Sequence, residues 1–276
     1  MVSVTVLMEN SPAVNKSLKY EHGLSLFIKT PKNKILFDFG SSDIFLYNAQ
    51  RMDINLNDLD VVVCSHGHYD HSGGFADFVS KYKIKKFITG EGFFEPKYRA
   101  DDSKFAYIGN PFNKQLLLDN NIEHIECKDV YKIDDNCYVF SGFKRTAPYE
   151  EASSNFVCGN LNDNMKVDNF DDEICLVIKT DNEISLLTAC SHPGIVNMVK
   201  TVGEYFNSNV TSIYGGIHLV EADDERIKNT IADIKKLGLK KAGFCHCSGN
   251  KVKEVIKNDD AIESSDFCTG DSIIIR

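Results

Sequence analysis

The chain has 276 residues, 42% hydrophobic and 26% charged, with a formal net charge of −9. That length suits one large domain or two small ones with a sizeable core. The acidic balance, without any Lys/Arg block interleaved with aromatics, argues against a nucleic-acid partner, and no stretch approaches the roughly 20 apolar residues of a membrane helix. The nine cysteines contain no C-x-x-C pair, so neither a disulfide framework nor a zinc ribbon is indicated, and the opening MVSVTVLMEN lacks a signal-peptide pattern. A cytoplasmic protein is expected, with nothing to fix its oligomeric state.

In chain order, VSVTVLM and LSLFIKT alternate and KILFDFG is an apolar run stopped by Gly40, which predicts an antiparallel meander. DIFLYNAQRMD spaces Ile44, Tyr47 and Met52 as one helical face behind the candidate caps Ser42 and Asp43. LDVVVCSH predicts a short buried strand, GGFADFVSKY a helix and KKFITG a strand. Residues 91–115 lose the pattern and predict a long loop or cap. CYVFSGF, EICLVIKT and EISLLTACSH predict three strands, the last two joined at "DN" as a hairpin. The remainder alternates: helix GIVNMVKTVGEYF, strand VTSIYGGIHL, helix DERIKNTIADIKKLGL, strand KKAGF, helix KVKEVIKN and strand DSIIIR. Strand and helix together predict a mixed α/β architecture. No repeat or linker interrupts it, so one domain over 1–276 is the simplest organisation.

Three of the eight histidines fall within six positions of CSHGHYDHSG. His66, His68, Asp70 and His71 thus leave a buried strand end in one tight loop, and imidazole and carboxylate donors suit zinc, iron or manganese. Four donors from one loop diverge too much to close on a single ion; two ions, each completed by distant residues, resolve this. His192 in TACSHPG, His218 in GGIHL and His246 in FCHCSG also sit at strand ends and can complete the sites, although an isolated histidine there is more often simply hydrogen-bonded. His22 and His124 are weaker candidates. Gly67 relieves crowding in the loop, while Gly73 and Gly74 allow tight backbone behind it.

With these residues in place, the chain resembles the metallo-β-lactamase superfamily, whose signature H-x-H-x-D-H it matches letter for letter. EHGLSLFI, KILFDFG, CSHGHYDHSGG, DDEICLVI, TACSHPGIVN, GGIHL and HCSG, in this order, look like the branch named for 7,8-dihydropterin-6-yl-methyl-4-(β-D-ribofuranosyl)aminobenzene-5′-phosphate synthase. The resemblance implies a four-layer αββα sandwich with a dinuclear metal site at one edge. Carried over by residue, it implies His66, His68 and His192 on one ion, Asp70, His71 and His246 on the other, and Asp38 beneath them orienting a ligand histidine. The superfamily's usual hydrolases take a ligand histidine from before the strand bearing a bridging Asp, yet residues 140–189 hold none. Cys190 falls where that Asp is expected, and His192 replaces the missing histidine. Cys190 either ligates as a thiolate or packs as a small buried residue; Cys245 and Cys247 read as strand packing.

Such a metal pair activates a bridging water, and hydrolysis of a small anionic or phosphorylated metabolite is the expected outcome, with Asp70 and His218 in catalytic roles. His218 donates a proton or supports its neighbours. Lys144 and Arg145 either meet a substrate phosphate or form an ordinary solvated pair. The synthase branch implies a transferase whose metals stabilise a departing diphosphate; a thioester hydrolase, a persulfide dioxygenase and a non-catalytic metal-bound sensor are further alternatives.

Overall fold

Val2, Val4 and Val6 are fully buried while Ser3 and Thr5 between them are half-buried, so the first strand, Val2–Met8, presents one apolar face as period-2 geometry requires. It pairs antiparallel with Ser25–Lys29, which pairs with Lys34–Phe37: the expected meander. The computed structural model describes residues 1–101, 104–161 and 165–276. Val61–Val63, Lys86–Gly90 and Glu123–Cys127 add in parallel on one side, and Ser272–Ile275 adds antiparallel beside the first strand. A second seven-stranded sheet has the order Glu263–Ser264, Lys241–Phe244, Ser212–Gly215, Ile184–Thr188, Cys175–Lys179, Cys137–Phe140, Val130–Lys132.

The two sheets face each other across a core that includes Leu26, Phe37, Val63, Leu176, Leu187 and Tyr214. Helices Ile44–Arg51 and Phe75–Lys81 cover the outside of the first sheet through Phe45, Phe75 and Phe78. Ile195–Phe206, Asp224–Lys236 and Asn250–Lys257 cover the second through Val196, Val199, Ile231 and Val252. The layers run helix, sheet, sheet, helix, the αββα arrangement. Each fully buried Phe, Leu or Val contributes ~1.5–3 kcal/mol of hydrophobic free energy, which is what couples the layers.

Two expectations need correction. Helix Ile44–Arg51 buries Phe45, Leu46, Asn48 and Ala49 and leaves Tyr47 exposed, and Asp43 caps it without a side-chain hydrogen bond. The inward polar residue is Asn48, whose amide donates to the carbonyls of Leu7 and Lys19 at 2.7 Å and so can sit on the buried face. Residues 91–115 form more than a loop: Lys97–Asp101 and Lys104–Tyr107 make a hairpin in a third, four-stranded sheet with Phe156–Cys158 and Lys166–Val167. This small sheet presents Lys97 and Phe156 to the histidine cluster described next.

Candidate metal centre

Each ligand implied by the resemblance follows the end of a strand. Asp38 follows Lys34–Phe37, and Val61–Val63 delivers His66 and His68 to the one-turn helix Tyr69–Ser72, which carries Asp70 and His71. In the second sheet, Ile184–Thr188 is followed by Cys190 and His192, Ser212–Gly215 by His218, and Lys241–Phe244 by His246. Parallel strands thus aim their C-terminal ends at one rim, the usual place for ligands in open α/β sheets. The backbone is tightly turned there: Asp38, Ser191, His218 and His246 all have φ between 46° and 63°, a conformation that is unusual for non-glycine residues and clusters at functional sites. Gly67 is required by space, since a Cβ there would lie 2.5 Å from the Phe93 carbonyl oxygen.

The donors converge in two groups. His66, His68 and His192 each offer a ring nitrogen within 4.8 Å of the others, and the Nε2 of all three is buried without a hydrogen-bond partner among the described residues. Such orphaned groups cost about 1–3 kcal/mol apiece unless something binds them. Burial holds all three imidazoles well below their usual pKa, keeping them neutral and able to donate lone pairs.

In the second group, Asp70 Oδ2 lies 3.5 Å from His71 Nε2 and 3.4 Å from His246 Nε2, and these two nitrogens are 3.1 Å apart. Their tautomers are fixed from behind. His71 Nδ1 donates to Asp38 at 2.7 Å, and His246 Nδ1 donates to Asn10 Oδ1 at 2.8 Å. Two lone pairs and a carboxylate therefore face one another, an arrangement that requires a cation or a proton between them. Burial lowers the pKa of His71, but Asp70 and Asp38 outweigh it and raise it to about 9. Burial likewise works against the Asp70 carboxylate, and the facing imidazoles of His71, His22 and His246 outweigh it, leaving its pKa well below the ordinary value. Cys190 Sγ is 3.3 Å from His71 Nε2 and 3.4 Å from His246 Nε2, within reach of this group.

Buried acids hold the ligand turns. Asp38 accepts from the Ser65 amide at 2.6 Å and from its hydroxyl at 2.8 Å, and that hydroxyl meets His66 Nδ1 at 2.9 Å. Asp172 accepts from the Gly67 amide at 2.8 Å and is paired with buried Lys97 at 2.9 Å, which also holds Asp168 at 2.6 Å. Glu173, pushed up to about 8 by burial, accepts from the amides of Ser191 and His192, and Glu9 accepts from the His246 amide at 3.1 Å. Phe170 stacks on His192 with ring centroids 3.8 Å apart.

The residues singled out in the sequence divide. His66, His68, Asp70, His71, Cys190, His192 and His246 come together with Asp38 behind them; His218 stands beside His192, its ring centroid 4.2 Å away. Lys144 pairs with Glu204 at 2.8 Å, and Arg145 donates to the Asn169 carbonyl; both are exposed. His124 bonds Thr89 at 2.8 Å and takes no part. His22, a weaker candidate, adjoins the cluster: its Nε2 lies 3.1 Å from Asp70 Oδ2, with Nδ1 held by the Asn10 amide at 3.2 Å. Cys247 does more than pack, because it forms a compact group with Cys190 and His218 within 4.8 Å. Burial opposes both thiolates, and contacts with Cys190, His246 and His218 favour the charge on Cys247. Neither His22 nor Cys247 carries a spacing signal, and Asn10, which joins His22 to His246, carries none at all.

A cavity of about 300 Å³ opens against His192 and His218, with Phe156, Ser153 and Arg226 on its other walls. Larger grooves, such as the 490 Å³ one beside Tyr47 and Tyr82, touch none of the cluster.

A sequence model described as the metallo-beta-lactamase superfamily matches residues 19–152. A Methanocaldococcus jannaschii protein named 7,8-dihydropterin-6-methyl-4-(beta-D-ribofuranosyl)-aminobenzene-5'-phosphate synthase is 31% identical over 272 residues, covering 94% of this chain and 91% of its own. A second, uncharacterized protein of that organism is 31% identical over 251 residues, covering 90% and 91%. Among solved structures, Tm1679, described as a metal-dependent hydrolase of the beta-lactamase superfamily, superposes with a TM-score of 0.85 at 26% identity, covering 100% of this chain and 99% of that one.

Proposed function

Because the chain belongs to the metallo-beta-lactamase superfamily, we propose that it is a metal-dependent hydrolase holding two divalent cations, zinc by the nature of its donors, and acting on a small anionic or phosphorylated metabolite. The observation that carries this reading is the three partnerless Nε2 atoms of His66, His68 and His192 beside the facing lone pairs of His71 and His246. His66, His68 and His192 would hold one ion and Asp70, His71 and His246 the other, with Cys190 within reach of the second. When bound, such a pair supplies Lewis acidity and lowers the pKa of water near neutral pH.

The chain's own groups do the rest. Asp38 fixes His71 directly and His66 through Ser65, so that both present Nε2 without rearrangement. His22 donates to Asp70 and holds one carboxylate oxygen in place. Phe156 and Phe170 pack their rings against His68 and His192 and so hold these imidazoles in place. His218, with its Nδ1 buried and partnerless, is the group placed to deliver a proton to a leaving atom in the adjoining cavity.

A second reading has its own support. The printed name of the Methanocaldococcus jannaschii relative is that of a synthase, so the same centre would serve a transferase joining a pterin to a ribofuranosylaminobenzene phosphate. Purified protein analysed for metal and offered a generic phosphodiester tests the main reading. Two equivalents of metal with hydrolysis, both lost in His66→Ala and Asp70→Ala, are expected; metal-free wild type would overturn it. Two equivalents without hydrolysis, but with a condensed product from the pterin and aminobenzene substrates, would select the second reading.

A further inference from the structure

The cavity beside His192 and His218 contains a cation that makes no side-chain hydrogen bond or ion pair among the described residues. Arg226 lies near the start of helix Asp224–Lys236 and lines this cavity together with the two histidines. Its Nε is buried without a partner, and among the described residues its guanidinium donates no hydrogen bond and forms no ion pair. Of the nearby carboxylates, Glu150 has its ionised form favoured by the Arg226 charge, but its hydrogen bonds go elsewhere. Glu150 accepts from the amides of Val196 and Asn197, both at 2.9 Å. Glu221 pairs with Arg99 at 2.9 Å, and Glu151 is exposed at the mouth. Arg99 also differs from Arg226 in lying over the Phe156 ring, 5.8 Å from its centroid. A half-buried guanidinium with free forked donors is a strong receptor for a planar or tetrahedral oxyanion.

We propose that Arg226 binds an anionic group of the substrate, a phosphate or a carboxylate, and thereby holds the remainder of the molecule against His192 and His218. The assignment rests on the metal-enzyme reading, since those histidines mark the reacting end of the cavity. It replaces Lys144 and Arg145, which line other surface, as the anion contact.

Calorimetric titration of zinc-loaded protein with phenylphosphonate, and separately with benzoate, tests it. Wild type is expected to bind phenylphosphonate, Arg226→Gln to bind it at least about tenfold more weakly with metal content and melting temperature unchanged, and Arg226→Lys to recover part of the loss. Arg145→Gln is expected to leave affinity unchanged. Weakening for both ligands assigns oxyanions in general, and weakening for one alone assigns phosphate or carboxylate. Should Arg226→Gln not fold, Arg226→Lys carries the test with a loss of about threefold or more from the missing fork. No binding by metal-loaded wild type, unchanged affinity in the Arg226 variants, or a loss in Arg145→Gln instead overturns the assignment. Wild type that takes up no zinc would instead remove the metal-enzyme reading itself, so the two failures are distinct.

Discussion

Within the cluster, protons would compete unequally with the proposed metal ions for the two donor groups. Burial makes protonation of His66, His68 and His192 unfavourable, so these stay neutral as pH falls through the ordinary imidazole range. His71 is the reverse case: Asp70 and Asp38 stabilise its charged form and raise its pKa to about 9, so a proton there rivals a cation near neutrality. Metal affinity follows the deprotonated fraction of the ligands. Acidification from about pH 8 is therefore expected to release the ion held by Asp70, His71 and His246 first, giving two steps in a chelator-indicator titration; simultaneous release would contradict the assignment of pKa directions to sites. His218→Ala is expected to retain metal, because its ring adjoins His192 without belonging to either group of imidazole and carboxylate ligands, and to lower kcat about 10²-fold or more, as loss of a general acid does. A variant that loses metal instead would make His218 a ligand or its support. For Cys190, sulfur lies near His71 and His246, and a cobalt-substituted protein should show a thiolate charge-transfer band that Cys190→Ser abolishes if the thiol ligates.

Secondary-structure elements explain both what could be read in the sequence and what could not. The strands that deliver ligands were legible because VVV, KILF and ISLLT are short apolar runs ended by turn chemistry, and H-x-H-x-D-H lies on one loop whose density has no ordinary structural reading. The small sheet above the site was not, because Phe156–Cys158 is three residues long and its partner Lys97–Asp101 buries only its first residue, which leaves no alternation to see. Helix Ile44–Arg51 is legible in the sequence but its buried face is not, since the polar Asn48 faces inward with its amide satisfied by two carbonyls. Among the buried acids that support the ligand turns, the sequence points only to Asp38. Glu9, Asp172 and Glu173 act on backbone amides of distant turns, contacts that no local pattern announces. The small sheet reaches the ligand loop through Lys97, whose ammonium is shared by Asp168 and Asp172. Lys97→Met leaves two buried carboxylates without their cation and is expected to lose about 3–5 kcal/mol of stability, measured by urea unfolding. It should also weaken metal binding, because Asp172 holds the Gly67 amide. A loss under about 1 kcal/mol would mean that the pair behaves like a solvent-exposed one.

For the molecule as a whole, the two sheets divide the proposed ligands. The first supplies His66, His68, Asp70 and His71 with Asp38 behind them; the second supplies Cys190, His192 and His246. A cation bound at the rim therefore joins the sheets at one edge, in addition to the apolar core between them. Ligands that bind only the folded state stabilise it by mass action, by about 2.7 kcal/mol at a hundredfold excess over Kd. Chelation is accordingly expected to lower Tm by several degrees, and His192→Ala to shrink that difference by disabling one site. A Tm indifferent to chelator would mean that the sheets are held without metal. The superfamily assignment and the sandwich are common to proteins of many activities, so the activity has to be decided at the rim and not from the fold.

The most direct measurement is X-ray diffraction from zinc-loaded crystals with data on both sides of the zinc absorption edge. Two anomalous peaks about 3.5–4 Å apart are predicted, one among His66, His68 and His192 and the other among Asp70, His71 and His246. A single peak, or none at these six side chains, would contradict the dinuclear centre.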